Sequence, residues 1–123
     1  MTTIEQVKEA VARFVRAGDT NDVTLLDQVL HTHFQNVQDG FFDKKGIFVF
    51  SKEDYKNLVK TNRFGGTERS IEFKAVDILG RIAHVKVRLE STALIFHSTL
   101  LLTLEDERWT VIHNIPTIEK NVA

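Results

Sequence analysis

Residues 70–115 constrain the fold more than any other part of the chain. Four runs, SIEFKAVDIL (70–79), IAHVKVRLES (82–91), ALIFHSTLLLTL (93–104) and WTVIHNI (109–115), follow one another with only short turn signals between them, Gly80 and EDER among them. Each run is rich in β-branched and aromatic residues, the composition of strands in a half-buried sheet. Strands joined by so few residues run antiparallel, because a parallel crossover needs a dozen or more. The single Pro116 marks the end of the last strand, where its missing N–H is tolerated.

The first half reads differently. Ile4, Val7, Val11, Phe14 and Val15 recur at helical spacing over residues 4–16. Thr2 or Thr3 caps this helix, Glu5 and Glu9 favour its early turns, and Gly18 ends it. DTND then caps a second helix over about 22–31, with Val23, Leu26, Val29 and Leu30 on its buried side. FQNVQD (34–39) and IFVF (47–50) are two further short strands, separated by the turn signals DG and DKKG. SKED is a capping-box pattern opening a third helix over about 52–62, with Tyr55, Leu58 and Val59 on one side. RFGGTE is read as a mobile loop. Three helices with a mostly antiparallel sheet make an α+β domain covering 1–123.

Alternation also assigns faces. If ESTA turns the hairpin that places Leu89 opposite Leu94, then Ala83, Val85, Val87 and Leu89 share a face with Leu94, Phe96, Ser98, Leu100 and Leu102. That face is apolar apart from Ser98 and covers the helices. The other face carries His84, Lys86 and Arg88 with Ile95, His97, Thr99 and Leu101. It is half apolar, which fits a homodimer surface, with Lys86 and Arg88 as dimer-face or solvated charges.

Composition narrows the class. There are 16 basic and 17 acidic residues, giving a net charge of -1, with none of the basic excess of a nucleic-acid binder. Cysteine is absent, which excludes disulfides and thiolate metal sites. The N-terminus MTTIEQVKEAVARF lacks an apolar signal core, and no run is long enough to span a membrane. A cytoplasmic protein without membrane or nucleic-acid partners is expected.

The element order, together with GDTNDVTLLDQVLHTHF, VQDGFF followed by SKEDY, VKVRL, FHSTLLL and ERWTVIHNIP, resembles the nuclear transport factor 2-like superfamily. Within it, the motifs are similar to the branch labelled "putative lumazine-binding", a label that does not itself establish a ligand. The resemblance implies a cystatin-like cone of curved, mostly antiparallel sheet packed against three helices, a homodimer, and a pocket between sheet and helices. The superfamily spans ketosteroid isomerases, SnoaL-like polyketide cyclases, dehydratases, epoxide hydrolases and non-catalytic binders, so fold alone does not choose among them. Against the isomerase pattern, an ungapped alignment places Phe14 where the family has a Tyr donor. It places Gln38 where the family has its aspartate base. The second acid's region holds Ser98, Thr99 and Leu100. A Phe has no hydroxyl and an amide accepts no proton near neutral pH. A one-residue shift brings Asp39 to the base position, beside turn-forming Gly40.

Other chemistries are less complete. His31 and His33 fall at a helix-to-strand junction, and His97 and His113 on adjacent strands, without a zinc-ligand spacing. His97 and Ser98 are neighbours and point to opposite faces of a strand, which excludes a dyad between them. No metal and no cofactor is expected. What remains is a pocket for a small organic ligand. Phe14, Phe34, Tyr55 and Phe96 give it apolar walls, with Asn36, Gln38 and Ser98 as neutral polar groups. Asn114 joins them if Ile112 faces inward. Trp109 anchors the final strand. The rival is a cyclase- or dehydratase-type enzyme using Asp39 or a histidine as base, and a third reading is a purely structural dimerisation module.

Overall fold

The computed structural model describes residues 1–122, so that of the expected single domain only Ala123 lies outside the described residues. The elements run α1 (Thr3–Asp19), α2 (Val23–Val29), β1 (Leu30–Phe41), β2 (Lys44–Ser51), α3 (Lys52–Lys60), β3 (Ser70–Leu79), β4 (Ile82–Glu90), β5 (Leu94–Glu105) and β6 (Arg108–Lys120). All six strands form one sheet in the order β2-β1-β6-β5-β4-β3. Neighbouring strands are antiparallel except β1 and β6, which are parallel. The sheet is open, with β2 and β3 as its edges, and the helices cover one face.

Local chemistry explains where the helices start. The Thr2 hydroxyl accepts from the Glu5 N–H at 3.2 Å while the Glu5 carboxylate accepts from the Thr2 N–H at 3.0 Å. Ser51 and Asp54 repeat this reciprocal box at α3, and the Asp22 carboxylate accepts from the Leu25 N–H at 3.0 Å to start α2. Such caps satisfy N–H groups that a helix leaves without partners, each stabilising by roughly 1 kcal/mol. The buried stripe of α1 is Val7, Ala10, Val11, Phe14, Val15 and Ala17. Ile4, expected in that stripe, is 50% exposed. Gly18 does not end the helix. It lies inside α1, and the left-handed residue is Asn21, with φ 51°.

The 61–69 loop is bound to α1 and α3. The Asn21 amide donates to the carbonyls of Val59 and Phe64, and the Gly66 N–H donates to the Gly18 carbonyl at 3.0 Å. Gly65 has φ +79°, and a Cβ there would fall 2.0 Å from the Gly18 oxygen. This glycine is therefore required twice, by backbone conformation and by close approach.

Three sheet details differ from the sequence expectation. The β4–β5 register pairs Leu89 with Phe96, not Leu94, because the Ser91 hydroxyl accepts from the N–H groups of Ala93 and Leu94 and so holds a longer turn. The offset is two residues, so the faces are unchanged: Ala83, Val85, Val87, Leu89, Ser98, Leu100 and Leu102 are buried against the helices. β6 carries a bulge, since Leu101 pairs with His113 but Leu102 with Val111. Ile112 is the extra residue; Val111 and Asn114 are both buried, three positions apart, while Ile112 is only half-buried. Finally, β6 runs on through Pro116 to Lys120. Pairing with β1 stops at Asn114, so the proline sits where the strand has become an edge and no donor is needed on that side.

Candidate functional site

A cavity of about 600 Å³ opens between the inner face of the sheet, α1, α3 and the 61–69 loop. β1 supplies Asn36 and Gln38, α1 supplies Phe14, α3 supplies Tyr55, β5 supplies Phe96 and Ser98, and β6 supplies Asn114. Phe34 does not reach the cavity. It is 1% exposed and packs behind the wall, its ring 6.3 Å from that of Phe14 and 5.2 Å from that of Tyr55. It holds those two rings in place.

The polar wall is a directed chain of amides. Asn114 Nδ2 donates to Asn36 Oδ1 at 2.7 Å, Asn36 Nδ2 donates to Gln38 Oε1 at 2.7 Å, and Gln38 Nε2 donates to the Gly40 carbonyl at 2.9 Å. A backbone carbonyl only accepts, so Gly40 fixes which end of Gln38 faces it. That choice fixes Asn36, and Asn36 fixes Asn114. The polarity of the whole chain is thus set by one backbone oxygen. Its far end, Asn114 Oδ1, is buried and has no hydrogen-bond partner among the described residues. A buried acceptor without a donor costs about 1–3 kcal/mol.

The wall across from the amides was not legible from alternation, because it comes from the loop before β3. Arg69 donates through its backbone N–H to Asp19 Oδ2 at 3.1 Å and through Nε to Asp19 Oδ1 at 2.6 Å. Its Nη2 donates to the Val15 carbonyl at 3.4 Å, and its guanidinium lies 4.8 Å from the Phe96 ring centre. Gly18 leaves room for this group, since a Cβ there would come 3.2 Å from Nη2. The sequence signal for this pair was the acid in GDTND and the arginine after FGGTE, which sit 50 residues apart. Arg63, also missed, lies at the cavity edge with its guanidinium 5.1 Å from the ring centres of both Phe41 and Phe42. The Tyr55 hydroxyl makes no hydrogen bond among the described residues, and burial pushes its pKa up, so it stays protonated.

The remaining candidates are placed as follows. Asp39 borders the cavity but is exposed, on the opposite side of β1 from Gln38. His31 and His33 lie at the start of β1, just past the α2–β1 junction, with ring centres 5.6 Å apart. The His31 ring meets Glu105 at 2.6 Å through Nε2, and its Nδ1 accepts from the His33 N–H. His97 pairs with Thr117 and His113 with Leu101, so these two histidines are four residues out of register along the ladder. Among the described residues no three His, Asp or Glu side chains converge as a metal site. His84, Lys86, Arg88, Ile95, His97 and Thr99 all lie on the sheet face away from the helices. Among the described residues no helix is long and apolar enough to cross a membrane.

Comparison with known proteins agrees with this geometry at the level of fold. A nuclear transport factor 2-like protein of unknown function from Silicibacter pomeroyi DSS-3 superposes with a TM-score of 0.83 at 18% identity, covering 97% of this chain and 100% of that one. One from Shewanella baltica OS155 gives 0.81 at 15% identity, covering 98% and 99%. One from Methylobacillus flagellatus KT gives 0.78 at 18% identity, covering 99% and 96%. No curated protein matches the sequence. Residues 2–115 match the model of the family described as "Putative lumazine-binding". The chain therefore belongs to that family, and its fold is that of the nuclear transport factor 2-like proteins it superposes on.

Proposed function

We propose that this protein binds a small, planar organic molecule in the cavity between its sheet and helices. The observation that carries the reading is the amide chain ending on an unpartnered Asn114 oxygen, in the wall of a cavity of about 600 Å³ with aromatic sides. That volume is in the range of small-molecule sites, which combine apolar walls with a few fixed polar groups. The Asn114 oxygen has almost no accessible surface, so a ligand N–H or O–H meets it once that side chain turns toward the cavity. Neutral amides orient a ligand and transfer no protons, so the polar wall supports binding over acid–base chemistry. The family's descriptive label points in the same direction, without identifying the ligand.

The test is a thermal-shift screen of heteroaromatic and polycyclic compounds. A ligand selective for the folded state raises stability by RT ln(1 + [L]/Kd), about 2.7 kcal/mol at a hundredfold excess over Kd. The reading expects planar compounds with a hydrogen-bond donor to raise Tm, and expects Asn114→Leu to abolish the rise. No shift across the screen would favour a purely structural module instead.

Self-association belongs to the same proposal. The outer face joins half-buried Ile95 and Leu101 to Ile115, which is 44% exposed, beside the Arg88–Glu90 and His97–Glu119 pairs. An apolar stripe flanked by charges of both signs suits a second copy of the same surface. Sedimentation at micromolar concentration should give a dimer; a monomer would contradict it.

A further inference from the structure

The cavity has a second polar end, and its chemistry is opposite to that of the amide wall. Arg69 lines the cavity, whereas Asp19, which neutralises it, does not. The carboxylate takes the backbone N–H and Nε of Arg69, and the Val15 carbonyl takes Nη2. Nη1 keeps both of its hydrogens without a partner among the described residues, at the wall of the same cavity. The guanidinium is held in place: its side chain is 14% exposed, Asp19 and the Val15 carbonyl take three Arg69 donors, the backbone N–H included, and one face lies on Phe96.

Tyr55, from α3, lines the same cavity as Arg69. Its ring is fixed by stacking on Phe14, with ring centres 6.1 Å apart, and by Phe34 and Phe64. The hydroxyl has no hydrogen-bond partner among the described residues, and the side chain lines the cavity. Two preorganised donors, one of them cationic, thus line the same cavity. A planar acceptor with negative charge is the group that both satisfy at once, and a charge-assisted bond is roughly twice as strong as a neutral one.

We infer that the ligand of this cavity is an aromatic or polycyclic carboxylate, whose acid group is bound by Arg69 Nη1 and the Tyr55 hydroxyl. This rests on the proposed pocket function and names the class of its ligand. The acid end then lies at α1, α3 and the loop, while the ring system extends between Phe14 and Phe96 toward the amides. Fixed donors lower the ordering cost of binding, because neither side chain has to be immobilised.

Three probes on one aromatic frame test it by calorimetry: naphthoate, its neutral isostere naphthamide, and the cationic naphthylmethylamine. The inference expects naphthoate to bind about tenfold or more tightly than naphthamide, and the amine to bind weakest. Tyr55→Phe keeps the ring packing and should reduce naphthoate affinity about tenfold while changing naphthamide by much less. The double variant Arg69→Gln with Asp19→Asn removes the charge without stranding the carboxylate, and should abolish the preference for acid over amide. Its folding is checked by circular dichroism, and Tyr55→Phe decides the matter if it does not fold. Equal binding of naphthoate and naphthamide would overturn the carboxylate site and leave the pocket intact. Failure of all three probes to bind would overturn the pocket reading, and this inference with it.

Discussion

Replacing Asn36 by leucine tests the amide chain at its centre. Asn36 is fully buried and makes two side-chain bonds of 2.7 Å, one donated and one accepted. Leucine keeps the branched outline with bulkier methyl groups, so no cavity opens. What is lost is the donor to Gln38 Oε1 and the acceptor for Asn114 Nδ2. A hydrogen bond contributes about 1 kcal/mol net, and a stranded buried partner costs about 1–3 kcal/mol. Gln38 and Asn114 both border the cavity, so water can partly rescue them. The single substitution should therefore destabilise by about 2–4 kcal/mol. Removing the whole network should cost less, because only the half-buried Gly40 carbonyl then loses its donor: Asn36→Leu with Gln38→Leu and Asn114→Leu should lie within about 1–2 kcal/mol of wild type. Urea unfolding at constant m value measures both. A single variant costing under about 0.5 kcal/mol, or a triple variant costing the sum of three deletions, would refute the idea that the amides act as one linked chain.

Further predictions follow from other parts of the structure. Gly65→Ala should destabilise by about 2–4 kcal/mol in urea unfolding, since its methyl would strike the Gly18 oxygen from a left-handed backbone. Ser51→Ala removes the α3 cap and should cost about 1 kcal/mol, with little further loss on adding Asp54→Ala because the two form one box. The Asp27 carboxyl titrates below its usual 3.8, first through its hydrogen bond to Lys56 and then through Lys52. Its folded pKa is depressed, so its stabilisation is present above about pH 4 and is lost as pH falls through the folded value. The Tm difference between wild type and Asp27→Asn should accordingly shrink below pH 4, and should be small throughout because Asp27 is half exposed and screened. Asp39→Asn should leave ligand affinity within about twofold; a large loss of turnover on any substrate would favour the enzyme reading instead.

How much of this was legible in the sequence depended on the type of signal. The inward set Phe34, Asn36 and Gln38 follows from period-two alternation, which burial against the helices enforces over the whole strand. Capping was equally readable at Thr2, Asp22 and Ser51, where the chemistry is local. Asn114 is inward for a reason alternation could not supply, since the bulge at Ile112 shifts the parity of everything after it. The β4–β5 register slipped by two because one serine hydroxyl stabilises a longer turn. Alternation gives Phe34 a face but not a depth, and the rings of Phe14 and Tyr55 stand in front of it. The arginine end of the cavity was hidden most completely. It depends on Arg69 meeting Asp19, a pairing of distant residues that no periodicity announces.

The central claim is that the cavity holds an organic molecule against the amide chain. A crystal structure of the protein with the strongest compound from the thermal-shift screen tests it most directly. The account predicts density for one planar molecule between Phe14 and Phe96, with a donor atom within 3.2 Å of the Asn114 oxygen, a hydrogen-bond distance. A cavity holding only water, with the compound absent or bound elsewhere on the surface, would contradict it.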